Sequence, residues 1–176
     1  PRQISNGDFD FASQLSWSAD GQTIYVSANI RDDREFDVFN TDVLALDVRS
    51  GEHIQLTQMS GPENNPLLSP DGEYIAFTGF EDNGRSFQVN QLYVMSADGG
   101  RVQSLTPELD RSVSWVQWAD NGKGLYFSYD DDGKKHVGYV TLKGKLSVKT
   151  DVLGGQSIGR PYTSGDYTVM PNGRII

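Results

Sequence analysis

The chain has 176 residues, room for one ordinary domain, and its 36% apolar content with 19 glycines is that of a folded globular protein rather than a disordered one. Twenty-four acids against fifteen bases leave a net charge of −9, which repels phosphate backbones and anionic bilayers, so neither nucleic acid nor a membrane is an expected partner. Cysteine is absent and no run of 18 apolar residues occurs, which excludes disulfides, thiolate metal sites and a transmembrane helix; the N-terminus lacks a signal-like apolar stretch, as a mature or excised chain also would, so a soluble chain is expected and its compartment, cytoplasmic or periplasmic, is left open.

In chain order, Arg2-Gln3-Ile4-Ser5 reads as an outer strand. A first unit follows: a strand ending at Trp17, a turn at Ser18-Ala19-Asp20-Gly21, and a strand with Ile24 and Val26 on one face. A connection over 31–39, with room for one helical turn, leads to Asp42-Val43-Leu44-Ala45-Leu46-Asp47, a turn at Gly51, and Ile54-Gln55-Leu56-Thr57. The second unit repeats this with Leu68, the turn Ser69-Pro70-Asp71-Gly72, then Ile75 and Phe77, then Gln91-Leu92-Tyr93-Val94-Met95-Ser96, and finally Val102 to Thr106. The third has Trp118, Asn121-Gly122, Leu125 and Phe127, then His136-Val137-Gly138-Tyr139-Val140-Thr141, then Leu146 to Thr150. A fainter copy, Met170-Pro171-Asn172-Gly173-Arg174-Ile175-Ile176, closes the chain. Gly21, Gly72, Gly122 and Gly173 stand at intervals of 51, 50 and 51 residues.

Period-two strands bounded by Asp-Gly and Asn-Gly turns are antiparallel, and four of them repeating about every 50 residues make propeller blades. The expected fold is all-β: a partial β-propeller of three four-stranded antiparallel blades, over about 12–57, 64–106 and 113–150, plus end strands at about 1–5 and 167–176. Propellers close with about four to eight blades, so the chain reads as one propeller segment of a larger protein, or as a short chain closing by oligomerisation. An isolated arc exposes apolar blade faces, and self-association as a two-fold dimer is the expectation for it.

Leu68-Ser69-Pro70-Asp71-Gly72-Glu73-Tyr74-Ile75-Ala76-Phe77, and Leu92-Tyr93-Val94-Met95-Ser96-Ala97-Asp98-Gly99-Gly100 followed by Leu105-Thr106, resemble the TolB-type propeller repeat. That repeat is shared by TolB and by the propellers of the prolyl-oligopeptidase superfamily of serine peptidases. Thr41-Asp42-Val43, Gly61-Pro62-Glu63-Asn64-Asn65-Pro66, Phe77-Thr78-Gly79 and Leu109-Asp110-Arg111-Ser112 resemble its acylaminoacyl-peptidase and dipeptidyl-aminopeptidase branch. The resemblance implies a non-catalytic segment that gates the access of short peptides to a separate, C-terminal α/β-hydrolase domain carrying the catalytic serine, aspartate and histidine. The alternative is a TolB-like propeller that binds protein partners without enzymatic activity. A propeller lyase or glycosidase would need clustered acids, histidines or metal ligands, and the sequence shows no such cluster.

Gly155-Gln156-Ser157-Ile158-Gly159 matches the nucleophile-elbow pattern, but Arg160-Pro161 follows where the elbow requires a helix, so the reading is a connecting loop. His53 and His136 stand beside turns, isolated from one another in sequence, with no zinc spacing. Asp130-Asp131-Asp132-Gly133 has consecutive rather than alternating acids and reads as a hairpin turn, not a calcium loop. No catalytic residue, cofactor or metal is assigned. Tyr25, Tyr126, Phe77 and Phe127 are read as equivalent inter-blade core positions. If a peptide is contacted, the long connections 29–41 and 79–90 share one face with the links between blades, and the candidates are Arg31, Arg34, Phe36, Arg85, Phe87 and Arg111.

Overall fold

A computed structural model of the chain describes residues 2–5, 7, 9, 11–150, 153 and 165–176. It holds twelve named strands in three four-stranded sheets, each in sequential order. The first has β1 (Phe11–Trp17), β2 (Thr23–Ala28), β3 (Asp42–Asp47) and β4 (His53–Gln55). The second has β5 (Glu63–Leu68), β6 (Tyr74–Gly79), β7 (Gln91–Ser96) and β8 (Gln103–Ser104). The third has β9 (Val113–Trp118), β10 (Gly124–Asp131), β11 (Lys134–Thr141) and β12 (Leu146–Thr150). This all-β arrangement of antiparallel sheets is that of a partial propeller. By its contacts the chain divides into two compact units, Pro1–Gln88 with Tyr93–Gln103, and Val89–Leu92 with Ser104–Ile176.

The repeated turn has a local cause. Asp20 Oδ1 accepts from the Ser18 hydroxyl at 2.6 Å and from the Gln22 amide at 3.0 Å, while Ser18 Oγ accepts from the Thr23 amide at 2.9 Å. Ser69 and Asp71 repeat all three bonds, and Asn121 and Asn172 repeat the carboxyl-side one to Lys123 and Arg174. The following glycines, 21, 72, 122 and 173, take φ between 67° and 78°, a conformation that penalises any side chain bearing a Cβ. The Leu-Thr pair is equally local: Thr57 Oγ1 accepts from the Val43 amide at 2.8 Å and Thr106 Oγ1 from the Leu92 amide at 3.0 Å. Each buried threonine thus continues the outer strand's bonding to the third strand after regular pairing ends.

In the first unit, Tyr25 and Val43 of one sheet form a core with Ile75, Phe77, Tyr93 and Met95 of the next. The opposite side of the first sheet, Ile24, Val26, Ala28, Leu44 and Leu46, is covered by Ile4, Phe9, Phe11, Ile30 and Val48. β2 is therefore apolar on both sides, which is why its burial does not alternate. This corrects the reading of Tyr25 and Phe77 as equivalent. Counted from the turn glycine, Tyr25 corresponds to Ala76 and Tyr126, and Phe77 corresponds to Val26 and Phe127. Tyr25 and Phe77 share a core because the first two sheets stack opposite faces.

Residues 2–5 join no ladder, in contrast to the expected end strand. The Arg2 guanidinium donates to the carbonyls of Val48 and Arg49, and the Ile4 carbonyl lies 2.1 Å from where a Cβ on Gly51 would stand. The segment crosses the β3–β4 turn instead of pairing along an edge. At the other end, Val169 and Ile175 form an antiparallel bridge. The Gln117 side chain brackets Val169, accepting from its amide at 3.0 Å and donating to its carbonyl at 3.2 Å. The Leu68 amide donates to Ser16 Oγ at 3.0 Å, again 52 residues apart, so 167–176 repeats a contact that β5 makes to β1. The 31–39 connection forms successive turns with a single helix-type bond, Asp37 amide to Asp33 carbonyl at 3.1 Å, and no helix is assigned among the described residues.

Gly79 closes β6 where a Cβ would stand 1.9 Å from the Pro62 carbonyl oxygen, a backbone atom that cannot swing aside. Gly79→Ala is expected to lower stability by about 1–3 kcal/mol through forced backbone displacement. An unchanged urea midpoint would contradict this.

Candidate functional site

The most unusual chemistry in the first unit is a buried polar network where β4 passes to β5. The 29–41 connection delivers Arg31, β3 begins with Asp42, the link supplies Thr57 and Met59, and β5 begins with Glu63. Asp42 and Glu63 are each 0% exposed. Arg31 Nη2 sits 3.4 Å from Asp42 Oδ1 and donates to the Met59 carbonyl at 3.0 Å. The Thr57 hydroxyl donates to Glu63 Oε2, and the Met59 amide donates to Glu63 Oε1 at 3.3 Å. Thr41 Oγ1 accepts from the Glu63 amide at 3.1 Å.

Burial pushes the Glu63 carboxyl from 4.5 up to about 7, against the opposing Thr57 hydrogen bond and with help from the Asp42 charge. Burial also raises Asp42, with Arg31 pulling the other way. The Glu63 and Asp42 side chains interact across the network, which raises Glu63, and Asp42 Oδ2 is buried without a hydrogen-bond partner among the described residues. The network pins the 29–41 connection to the link through Arg31. What its bonds do in this structure is hold the connection to the link, as a latch does. The sequence reading missed Asp42, Thr57 and Glu63. The available signal was a charged residue in an apolar slot: Glu63 stands nine residues before its turn glycine, where the third unit has the buried Val113.

Of the sequence candidates, Arg31 lies at the base of its loop, and Arg34 donates to the Arg31 carbonyl at 3.3 Å. Phe36 is 92% exposed on the same loop. Arg85 and Phe87 are exposed on the β6–β7 connection, where Gln88 Nε2 holds Asp82 Oδ1 at 2.7 Å. Arg111, in the second unit, pairs with Asp131 at 2.8 Å. The loops thus place Arg31, Arg34 and Phe36 on one connection and Arg85 and Phe87 on another.

His53 meets Phe9 edge-on at 5.7 Å, and His136 stacks on Tyr129 at 5.1 Å. Both are packed as ring partners. The Asp-Gly hairpin is a two-residue turn, with Asp132 at φ 47° and Gly133 at φ 70°. Asp130 and Asp131 face Lys135 and Lys134 across it. Ser157 and its flanking glycines lie outside the described residues. Among the described residues no group of three His, Cys, Asp or Glu side chains is placed to hold a metal, and no helix is long and apolar enough to cross a membrane. An open hollow of about 310 Å³ beside Thr57 is lined by Gln55, Leu56, Gln58, Gly100 and Val102, without a charged side chain.

No family model matches the chain. A dipeptidyl-peptidase 5 of Porphyromonas gingivalis is 30% identical over 135 residues, covering 75% of this chain and 20% of that protein. TolB from Acinetobacter baumannii superimposes with a TM-score of 0.64 at 20% identity, over 93% of this chain and 36% of that one. A puromycin hydrolase superimposes with a TM-score of 0.73 at 16% identity, over 99% of this chain and 28% of that one. The chain is a β-sheet domain related to TolB-like and peptidase-superfamily proteins. It spans about a fifth of the length of the Porphyromonas peptidase.

Proposed function

We propose that this segment works by binding, as a TolB-like propeller module that holds a protein or peptide partner and performs no chemistry of its own. The observation that supports this reading most is the superposition on TolB over 93% of the chain, with the long connections presenting exposed Phe36 and Phe87. A second reading is favoured by the 30% identity to a dipeptidyl peptidase. In it the segment belongs to a serine peptidase, docks on a separate α/β-hydrolase domain, and limits entry to short peptides. Phe36, Arg85 and Phe87, exposed on their connections, are then the side chains that touch the incoming peptide, while Arg31 holds the first connection in place.

Both readings give the same expectation for the chain alone. Hydrolysis of dipeptidyl anilides and esters should not exceed that of the Ser157→Ala variant. Turnover that disappears with Ser157→Ala would overturn both. In the complete protein the two part. Under the peptidase reading, Phe36→Ala and Phe87→Ala change kcat/KM for longer peptides more than for a dipeptide substrate; under the binding-module reading there is no turnover to change.

A further inference from the structure

The 31–39 connection combines exposed aromatic rings with a fixed backbone. Phe36 is 92%, Phe39 77% and Val38 58% exposed. Among the described residues neither ring is part of a core, and a polar side chain would serve a turn better. The backbone beneath them is tied down: the Phe36 amide bonds the Asp33 carbonyl at 2.8 Å, and Asn29 Nδ2 holds the Asp37 carbonyl at 2.7 Å. Asn40 grips Asp37 Oδ2 at 2.8 Å and accepts from the Gly61 amide at 3.1 Å, while Arg31 anchors the loop to Asp42 and Met59. Because the backbone is already ordered, covering the rings costs side-chain but little backbone entropy, which suits an interface anchor.

The charge around the rings selects the partner. Asp32, Asp33, Glu35 and Asp37 are all exposed beside them; of the two cations on the connection, Arg31 reaches Asp42 and half-buried Arg34 donates to the Arg31 carbonyl, which leaves the loop acidic on balance. A second copy of this chain, at −9, would bring like charge to an acidic loop. We infer that the 32–39 connection is a docking loop for a protein segment carrying apolar side chains flanked by lysine or arginine. The apolar groups cover Phe36 and Phe39, and the cations meet the surrounding carboxylates.

This inference rests on the binding reading and is tested with labelled peptides of alternating lysine and leucine, lysine and serine, or glutamate and leucine, titrated by fluorescence anisotropy onto the full chain. The lysine–leucine peptide should bind, with affinity falling at high salt. Phe36→Ser combined with Phe39→Ser should weaken it about tenfold with an unchanged far-ultraviolet circular dichroism spectrum, because both rings are outside the core. Equal binding of the lysine–serine peptide, or tight binding of the glutamate–leucine peptide, would overturn the inference. Lysine–leucine binding that survives the double substitution removes the loop's role and leaves a binding module standing elsewhere. Absence of any binding also overturns the loop, and the Ser157→Ala hydrolysis comparison judges the module reading independently.

Discussion

Phe77→Ala is expected to remove a large share of the first unit's stability. The ring is 1% exposed, stacks on Tyr93 with centroids 5.4 Å apart, and belongs to the core that joins the first two sheets. Removing it leaves a cavity that two sheets must share, at about 3–5 kcal/mol, against a total stability on the order of 5–15 kcal/mol for a domain. The urea midpoint should drop accordingly. Phe36→Ala, at a ring in solvent, should stay within about 0.5 kcal/mol of the parent chain. Similar losses at the two positions would refute the assignment of Phe77 to a shared core.

Stability is also expected to fall as pH rises from 5 to 8, against the usual behaviour of carboxylates. The folded chain keeps a proton on Glu63 up to about 7, while an unfolded glutamate releases it near 4.5. Between those values the folded state holds more protons, so unfolding free energy decreases with pH, by roughly 3 kcal/mol across the window. Asp42, also raised, tilts the same way. The groups facing Glu63 are Asp42 from β3 and Tyr93 from β7, with Arg31 reaching Asp42 from the connection above. Asp20, Asp47 and Asp71 are held low by hydrogen bonds, from Ser18, Ser50 and Ser69 respectively. Their contribution is present above 3.8 and lost only on further acidification, outside this window. Glu63→Gln keeps an acceptor for Thr57 but gives up the bond from the Met59 amide, and it has no proton to lose. Its urea midpoint should start somewhat below the parent at pH 5 and fall less than the parent between pH 5 and 8. A parent midpoint that is flat or rising over this range would show that Glu63 ionises normally.

Strand and turn chemistry is contained in short stretches of chain, and so it was legible. Ser18 and Asp20 bond amides within five residues of themselves, and the glycine that follows needs only its own freedom at φ. The alternation of Ile24 and Val26, or of Ile75 and Phe77, marks a strand without reference to any neighbour. From such pieces the sequence by itself determined three four-stranded antiparallel sheets, their order along the chain, and the Asp132-Gly133 hairpin. Tertiary structure decided what those sheets present to one another. Tyr25 shares a core with Phe77 although they occupy different repeat positions, because the first two sheets stack opposite faces and no period within one strand encodes that offset. Residues 2–5 cross a turn rather than extend an edge because distant carbonyls, Val48 and Arg49, capture Arg2. Arg31 read as a residue free for a ligand; Asp42, eleven positions on, and Met59, twenty-eight on, hold it. In the sequence Glu63 was only one residue of the Gly61 to Pro66 motif; β5 carries it out of water, and desolvation, which depends on every element packed around a carboxyl, raises its pKa to about 7.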